Sequence, residues 1–127
     1  MNNKTILYRQ IHPKFIQNGR VTSQAFRPTP KDENKLSVYD GDMIKPYDSF
    51  LHYTAELNLS SQGVMGIATV ECESCGLTVT PDPEEFQEHV LIDYSSFSNG
   101  RTTQISKELR NYAESRDWLF RIENHNQ

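Results

Sequence analysis

The longest mainly apolar run in this chain, Val64–Val70 (VMGIATV), spans seven residues between the turn-forming Ser60-Ser61-Gln62-Gly63 and the charged Glu71. Its length and β-branched content fit a buried central strand, whereas a bilayer-crossing helix needs about 20 apolar residues. The other apolar segments are shorter still, so the chain reads as many short elements around one core. Its 127 residues suffice for a single domain, 1–127, with six Phe, six Tyr and one Trp to fill it.

Thr5–Ile11 reads as an opening strand broken by His12-Pro13, with one helical turn at Lys14–Gln17 and a stop at Asn18-Gly19. Val21–Phe26 reads as a second strand or extended arm, and residues 27–34 as a loop held extended by Pro28 and Pro30. A short strand at Leu36–Tyr39 ends in the turn Asp40-Gly41-Asp42. Pro46 suits the first position of a helix over Pro46–Leu57, with Tyr47, Phe50, Leu51, Thr54 and Leu57 on its apolar face. After the Val64–Val70 strand come a helical turn at Glu71–Cys75 capped by Gly76, and strands at Leu77–Thr80 and His89–Tyr94. Thr102 or Thr103 can cap a helix running to Arg116, with Ile105, Leu109, Tyr112 and Ala113 inward. Trp118–Ile122 adds a last strand, and residues 123–127 are expected to form a frayed tail. The fold class expected is α+β: a mostly antiparallel or mixed sheet of about six short strands with two main helices.

No lysine or arginine occurs between Lys45 and Arg101, yet nine carboxylates do: Asp48, Glu56, Glu71, Glu73, Asp82, Glu84, Glu85, Glu88 and Asp93. Residues 1–45 carry eight cations against four carboxylates and residues 101–127 five against four, which leaves the chain at −4. Such segregation predicts a charge-polarised surface suited to a charged partner or substrate. The net negative charge argues against nucleic-acid binding, which relies on many cations neutralising phosphates. No segment suits a membrane, Met1–Thr5 lacks the apolar core of a secretory signal, and two cysteines three apart are no disulfide framework. A bacterial cytoplasmic location is the expectation.

The polar stretch Arg20–Asp42 packs cations (Arg20, Arg27, Lys31, Lys35) and hydroxyls (Thr22, Ser23, Thr29) around two prolines, a composition that can hold phosphate through Arg forks and hydroxyl donors. Neither G-x-x-x-x-G-K-[ST] nor G-x-G-x-x-G occurs, and no cofactor is called for. Cys72-Glu73-Ser74-Cys75 is a single C-x-x-C lacking the further ligands of a zinc site; it reads as two packing residues, and no metal is expected. Glu84, Glu85, Glu88 and His89 could do acid–base work were one of them buried, but read first as a docking edge. Asp40-Gly41-Asp42 lacks the remaining ligands of a calcium loop. His12, ahead of Pro13, is a site residue by location alone.

Leu7-Tyr8-Arg9, Thr22-Ser23-Gln24 and Glu71-Cys72-Glu73 together resemble the Arg…Ser…Glu-x-Glu motif order of ADP-ribosyltransferases, over a few scattered residues. That resemblance implies Arg9 at the phosphates of NAD, Ser23 bracing the fold around nicotinamide and Glu73 polarising the ribose. The serine motif here is Thr-Ser-Gln where that family has Ser-Thr-Ser. Over most of its length, through YRQIHP and SQAFRPTPKDENKLSVYDGD, the chain also resembles a group of hypothetical bacterial proteins, which implies no activity, fold or cofactor.

Two functions follow as expectations. The first is a small accessory protein of the immunity, antitoxin-like or defence-associated kind. It would dock a protein partner through Asp82, Glu84, Glu85 and Glu88, with Tyr94 or Phe97 as aromatic anchors. The alternative is an enzyme or sensor for a nucleotide or other phosphorylated small molecule. That ligand would be held by Arg9, His12, Arg20, Ser23, Arg27 and Lys31, with Glu73 added in the ADP-ribosyltransferase-like form.

Overall fold

The computed structural model describes residues 1–122, so the tail expected at 123–127 lies outside the described residues. In chain order the strands are β1 (Ile6–Gln10), β2 (Ile16–Gln17), β3 (Arg20–Val21), β4 (Lys35–Asp40), β5 (Gly63–Ala68), β6 (Thr78–Pro81), β7 (His89–Asp93) and β8 (Phe120–Arg121). The helices are α1 (Pro46–Leu51), α2 (Thr69–Ser74) and α3 (Asn99–Arg116). Six strands form one antiparallel sheet in the order β6-β7-β4-β1-β5-β8, while β2 and β3 pair apart. This is the α+β class that the pattern of short runs predicts, with the antiparallel alternative realised.

Alternation along the strands divides the sheet into two faces. Leu7, Leu36, Val38, Ile67, Val90 and Ile92 enter the main core, which α3 seals with Ile105, Leu109 and Ala113 and α2 with Cys72. The opposite face carries a smaller cluster around Tyr8, Tyr39 and Val64, covered by Phe50, Tyr53, Phe86, Leu119 and Phe120. Val64 and Ile67 are buried as expected, but β5 lies one strand from the sheet edge; the central strands are β4 and β1. Gly76 does end the α2 segment, at φ +86°, a conformation a side chain would strain.

Several boundaries differ from the sequence reading for identifiable reasons. Of the second strand expected at Val21–Phe26 only Val21 pairs, together with Arg20 before it, across a turn in which Asn18 and Gly19 both take positive φ, the type I′ hairpin geometry. Residues Ser23–Phe26 then coil into a 3₁₀ turn that buries Ala25 and Phe26. The carbonyls of this turn take side-chain donors instead of ladder bonds: Arg9 Nε reaches Ala25 O at 2.6 Å, and Tyr94 Oη and Ser106 Oγ reach Phe26 O at 2.6 and 3.2 Å.

The helix expected over Pro46–Leu57 is α-helical only to Leu51 and widens into a π turn over His52–Glu56. Its inward side is not the expected stripe: Ser49 is fully buried while Tyr47, Leu51 and Leu57 are exposed. Ser49 can sit there because its hydroxyl is satisfied, accepting from Gln10 Nε2 at 3.0 Å and donating to Pro46 O at 2.7 Å. In α3 the cap is Ser98, whose Oγ accepts from Arg101 N at 3.1 Å, and Thr102 is buried inside the helix. Tyr112 lies at the margin of the stripe set by Thr102, Ile105, Ser106, Leu109 and Ala113, and is exposed. Among the described residues no helix is long and apolar enough to cross a membrane.

Candidate functional site

The central pair of strands comes apart. β1 pairs with β5 over all five of its residues, and β4 pairs with β7 from Lys35 to Tyr39, but β1 and β4 share only Leu7–Asp40 and Tyr8–Tyr39. Beyond that point the sheet forks, and the carbonyl of Ser37 has lost its ladder partner on the β1 side. Arg9 bridges the fork, with Nη1 donating to Ser37 O at 3.1 Å and Nε to Ala25 O at 2.6 Å. The guanidinium therefore stands in for the missing backbone donors at the fork.

A groove of about 920 Å³ opens at this fork, a size that suits a small-molecule ligand. Arg9 and Gln10 line it from β1 and residues 35–39 from β4, with His89 and Leu91 of β7 beside them. One wall comes from His12, Lys14, Phe15, Arg27 and Pro28; facing walls come from Tyr53, Leu57 and Leu59 after α1, and from Asp82, Glu85 and Phe86 before β7. The π turn matters here. Tyr53 lines the groove, and His52 Nδ1 meets the Tyr39 hydroxyl at 2.7 Å. Burial raises the Tyr39 phenol well above its ordinary pKa, which keeps its hydroxyl protonated beside the imidazole.

The groove's charges are unevenly matched. Asp82 is bound to His89 at 2.9 Å, Asp32 accepts from Thr29 Oγ1 at 2.9 Å, and Lys35 lies 3.9 Å from Glu33. Among the described residues, Arg9, Lys14 and Arg27 make no ion pair. Arg9 is half-buried on neutral carbonyls, and burial lowers its pKa from the ordinary arginine value. Phe15 lies under this cationic wall, 6.0 Å from Arg9 Cζ and 5.5 Å from Lys14 Nζ.

The structure thus brings Arg9, His12 and Arg27 to one groove and sends the other ligand-binding candidates elsewhere. Arg20 is exposed and forks onto Glu114 of α3 at 2.7 and 2.8 Å. Ser23 opens the 3₁₀ turn, Lys31 is on the outer loop and Glu73 is exposed on α2; none of the three lines the groove. Glu71 has a structural task, accepting from Ala68 N and taking a two-pronged contact from Arg116 at 3.0 Å. His12 Nδ1 accepts from Lys14 N at 3.0 Å, which caps the Pro13–Phe15 turn and leaves the proton on Nε2.

Of the acidic run, Asp82 and Glu85 turn into the groove, Glu84 is exposed, and Glu88 is half-buried with its carbonyl accepting from Asp40 N. Tyr94 is not a surface anchor: it is 1% exposed, and its ring belongs to the main core, because its hydroxyl is needed at Phe26 O. Phe97 packs against the same core. Cys72 and Cys75 are buried there as well, and burial pushes their thiols up to about 12 and about 11. Ser37, Tyr39, Tyr53 and Phe86 were not singled out by sequence. The only trace of Ser37 is its polar position between the buried Leu36 and Val38.

No protein-family model, curated protein or solved structure matches the chain.

Proposed function

We propose that the protein binds an anionic small molecule, of the nucleotide or other phosphorylated class, in the groove at the β1–β4 fork. The observation that carries this reading is Arg9: a half-buried guanidinium on the groove wall, bonded only to neutral carbonyls, with Lys14 and Arg27 also unpaired beside it among the described residues. An arginine uses two of its five N–H donors on those carbonyls, and the remainder suit phosphate or carboxylate oxygens. Tyr53, Phe86 and Phe15 supply flat apolar surface for the rest of the ligand. A thermal-shift screen with nucleotides and phosphosugars tests this reading. A true ligand at 100-fold over its Kd adds about 2.7 kcal/mol, which raises Tm by several degrees. Arg27→Ala, at an exposed position, weakens that ligand at least about tenfold. A panel that leaves Tm unmoved, or a ligand indifferent to Arg27→Ala, defeats the proposal.

The accessory-protein reading is supported by one observation: Glu84 and Glu85 are exposed, Glu85 on the groove, and neither makes an ion pair among the described residues. Replacing Glu84, Glu85 and Glu88 by Lys then abolishes co-purification of a basic partner while the domain stays folded; unchanged recovery of that partner removes the reading.

A further inference from the structure

Three side chains at the acidic end of the groove, from β4, β7 and the turn that follows β6, form a connected chain. Asp82 Oδ2 lies 2.9 Å from His89 Nδ1, and His89 Nε2 lies 3.1 Å from Ser37 Oγ. Register produces this arrangement. His89 pairs with Tyr39 in the β4–β7 ladder, so Ser37 is its diagonal neighbour on the same face. Asp82 N donates to His89 O at 2.8 Å, one step past the Pro81–Val90 pair, which sets Asp82 opposite His89. Pro81 and Pro83 fix the chain on either side of Asp82, and a residue before proline is held extended. The carboxylate is therefore positioned before any ligand arrives. His89 is buried with its ring 4.7 Å from Phe86, and Ser37 is exposed to the groove.

We propose that Ser37 is a nucleophile for acyl transfer, with His89 as its base and Asp82 as the positioning residue, and that the substrates are carboxylic esters bearing an anionic group. The preference for an anion rests on the groove reading above; the nucleophile does not. Ser37 Oγ bonds to the ester carbonyl carbon while its proton passes to His89 Nε2 and the carbonyl π pair moves onto oxygen. Collapse of that oxyanion breaks the bond to the alcohol oxygen, which leaves with the proton from Nε2. Water then attacks the acyl-serine with His89 again as base, releasing the carboxylic acid and restoring Ser37. Asp82 stays ionised throughout and holds the Nδ1–H tautomer. The unspent N–H groups of Arg9, whose Nη1 is bound to the Ser37 carbonyl, are the donors for the oxyanion. The anionic group of the ester then lies toward Arg27, an exposed cation of the same groove that makes no ion pair among the described residues.

The test uses the full chain with a fluorophosphonate serine probe and two p-nitrophenyl esters, the neutral acetate and the anionic succinate monoester. The expected result is one adduct, located on Ser37 by peptide mass spectrometry, and turnover that prefers the succinate ester. Ser37→Ala abolishes both, and His89→Gln slows labelling at least about 100-fold. Asp82→Asn slows it at least tenfold, and Asp82→Glu restores part of that loss, which a merely structural role would not produce. Arg27→Ala collapses the ratio of kcat/KM between the two esters toward one. Absence of a Ser37 adduct, or labelling equally fast in His89→Gln of unchanged Tm, overturns the proposal. If phosphorylated ligands still bind in that case, the groove reading survives; Ser37 turnover without anion preference or ligand binding defeats the groove reading instead.

Discussion

Arg9 is the residue on which fold and site depend together, and Arg9→Met isolates its structural share. Methionine keeps an unbranched apolar stem but removes both donors to the fork. The bond to Ala25 O is 2.6 Å and partly buried, so its loss strands a carbonyl against a charge-assisted partner, a cost of about 2 kcal/mol. The bond to Ser37 O is 3.1 Å and solvent-accessible, so water substitutes and the cost is about 0.5 kcal/mol. Releasing a half-buried guanidinium from partial desolvation returns some of this, which leaves about 2 kcal/mol of net destabilisation. Urea unfolding followed by circular dichroism reads the change; with a slope of about 1–2 kcal/mol/M, the midpoint falls by about 1–2 M. Native-state hydrogen exchange adds a local test, because the loss should speed exchange at the fork more than in the β1–β5 ladder. A midpoint within about 0.3 M of wild type would show that the guanidinium does not hold the fork, and its role would then be confined to ligand.

Tyr94→Phe removes the donor at 2.6 Å from Phe26 O; the one Ser106 hydroxyl proton, 2.8 Å from Thr102 O and 3.2 Å from Phe26 O, can turn to it, so chemical denaturation should show a loss of about 1 kcal/mol. Adding Ser106→Ala strands the buried carbonyl and makes the double variant worse than the sum of the singles. Arg116→Met leaves Glu71 in a half-buried position without its two-pronged partner and should cost about 1–3 kcal/mol in urea, with Glu71→Gln in the same background recovering part of it. Both thiols titrate higher in the fold than in the unfolded chain, whose cysteines have values near about 8.5. Above that pH the unfolded state has lost protons that the folded state retains, so this contribution is complete below pH about 8.5 and is lost as pH rises toward about 11 and 12. Urea midpoints at pH 7, 9 and 10 should fall in that order. Thiol reagents at pH 8 should react far faster in denaturant than with the native protein.

The sheet was legible in this sequence because its evidence is local. Leu36, Val38 and the β-branched residues of β5 state their faces by alternation and length, and Asn18-Gly19 and Gly76 mark reversals through the φ they permit. The buried face of α1 was not legible, since a fully buried Ser49 carries no hydrophobic signal and is tolerated only because Gln10, distant in sequence, donates to it. The same limit applies to the 3₁₀ turn at Ser23–Phe26, whose β-like composition is overridden by donors from Arg9, Tyr94 and Ser106. Of the candidate site, Arg9, His12 and Arg27 could be read as cations and an imidazole near prolines. Their separation from Arg20, Ser23, Lys31 and Glu73 depended on tertiary partners. Ser37 illustrates the limit most clearly: one hydroxyl in a strand means little until register sets it beside His89, 52 residues away.

The fork also brings part of the segregated charge to one place. Four of the eight cations of the first 45 residues, Arg9, Lys14, Arg27 and Lys35, line the groove, and two of the nine carboxylates of the middle segment, Asp82 and Glu85, arrive through the turn that starts at Asp82. Because β4 lies between β1 and β7, the two sets meet across the groove instead of pointing from opposite ends of the molecule. In so close an arrangement the fields of the two walls cancel at a distance and remain strong between them, where low-dielectric walls such as Tyr53 and Phe86 limit screening. A ligand suited to that space carries its anionic group toward Arg9 and Arg27 and keeps a second anion away from Glu85. The expected selectivity is therefore for compact ligands with one anionic group over extended polyanions. Competition between a nucleoside monophosphate and its triphosphate measures it, and tighter binding of the triphosphate would refute the idea that Glu85 faces the ligand.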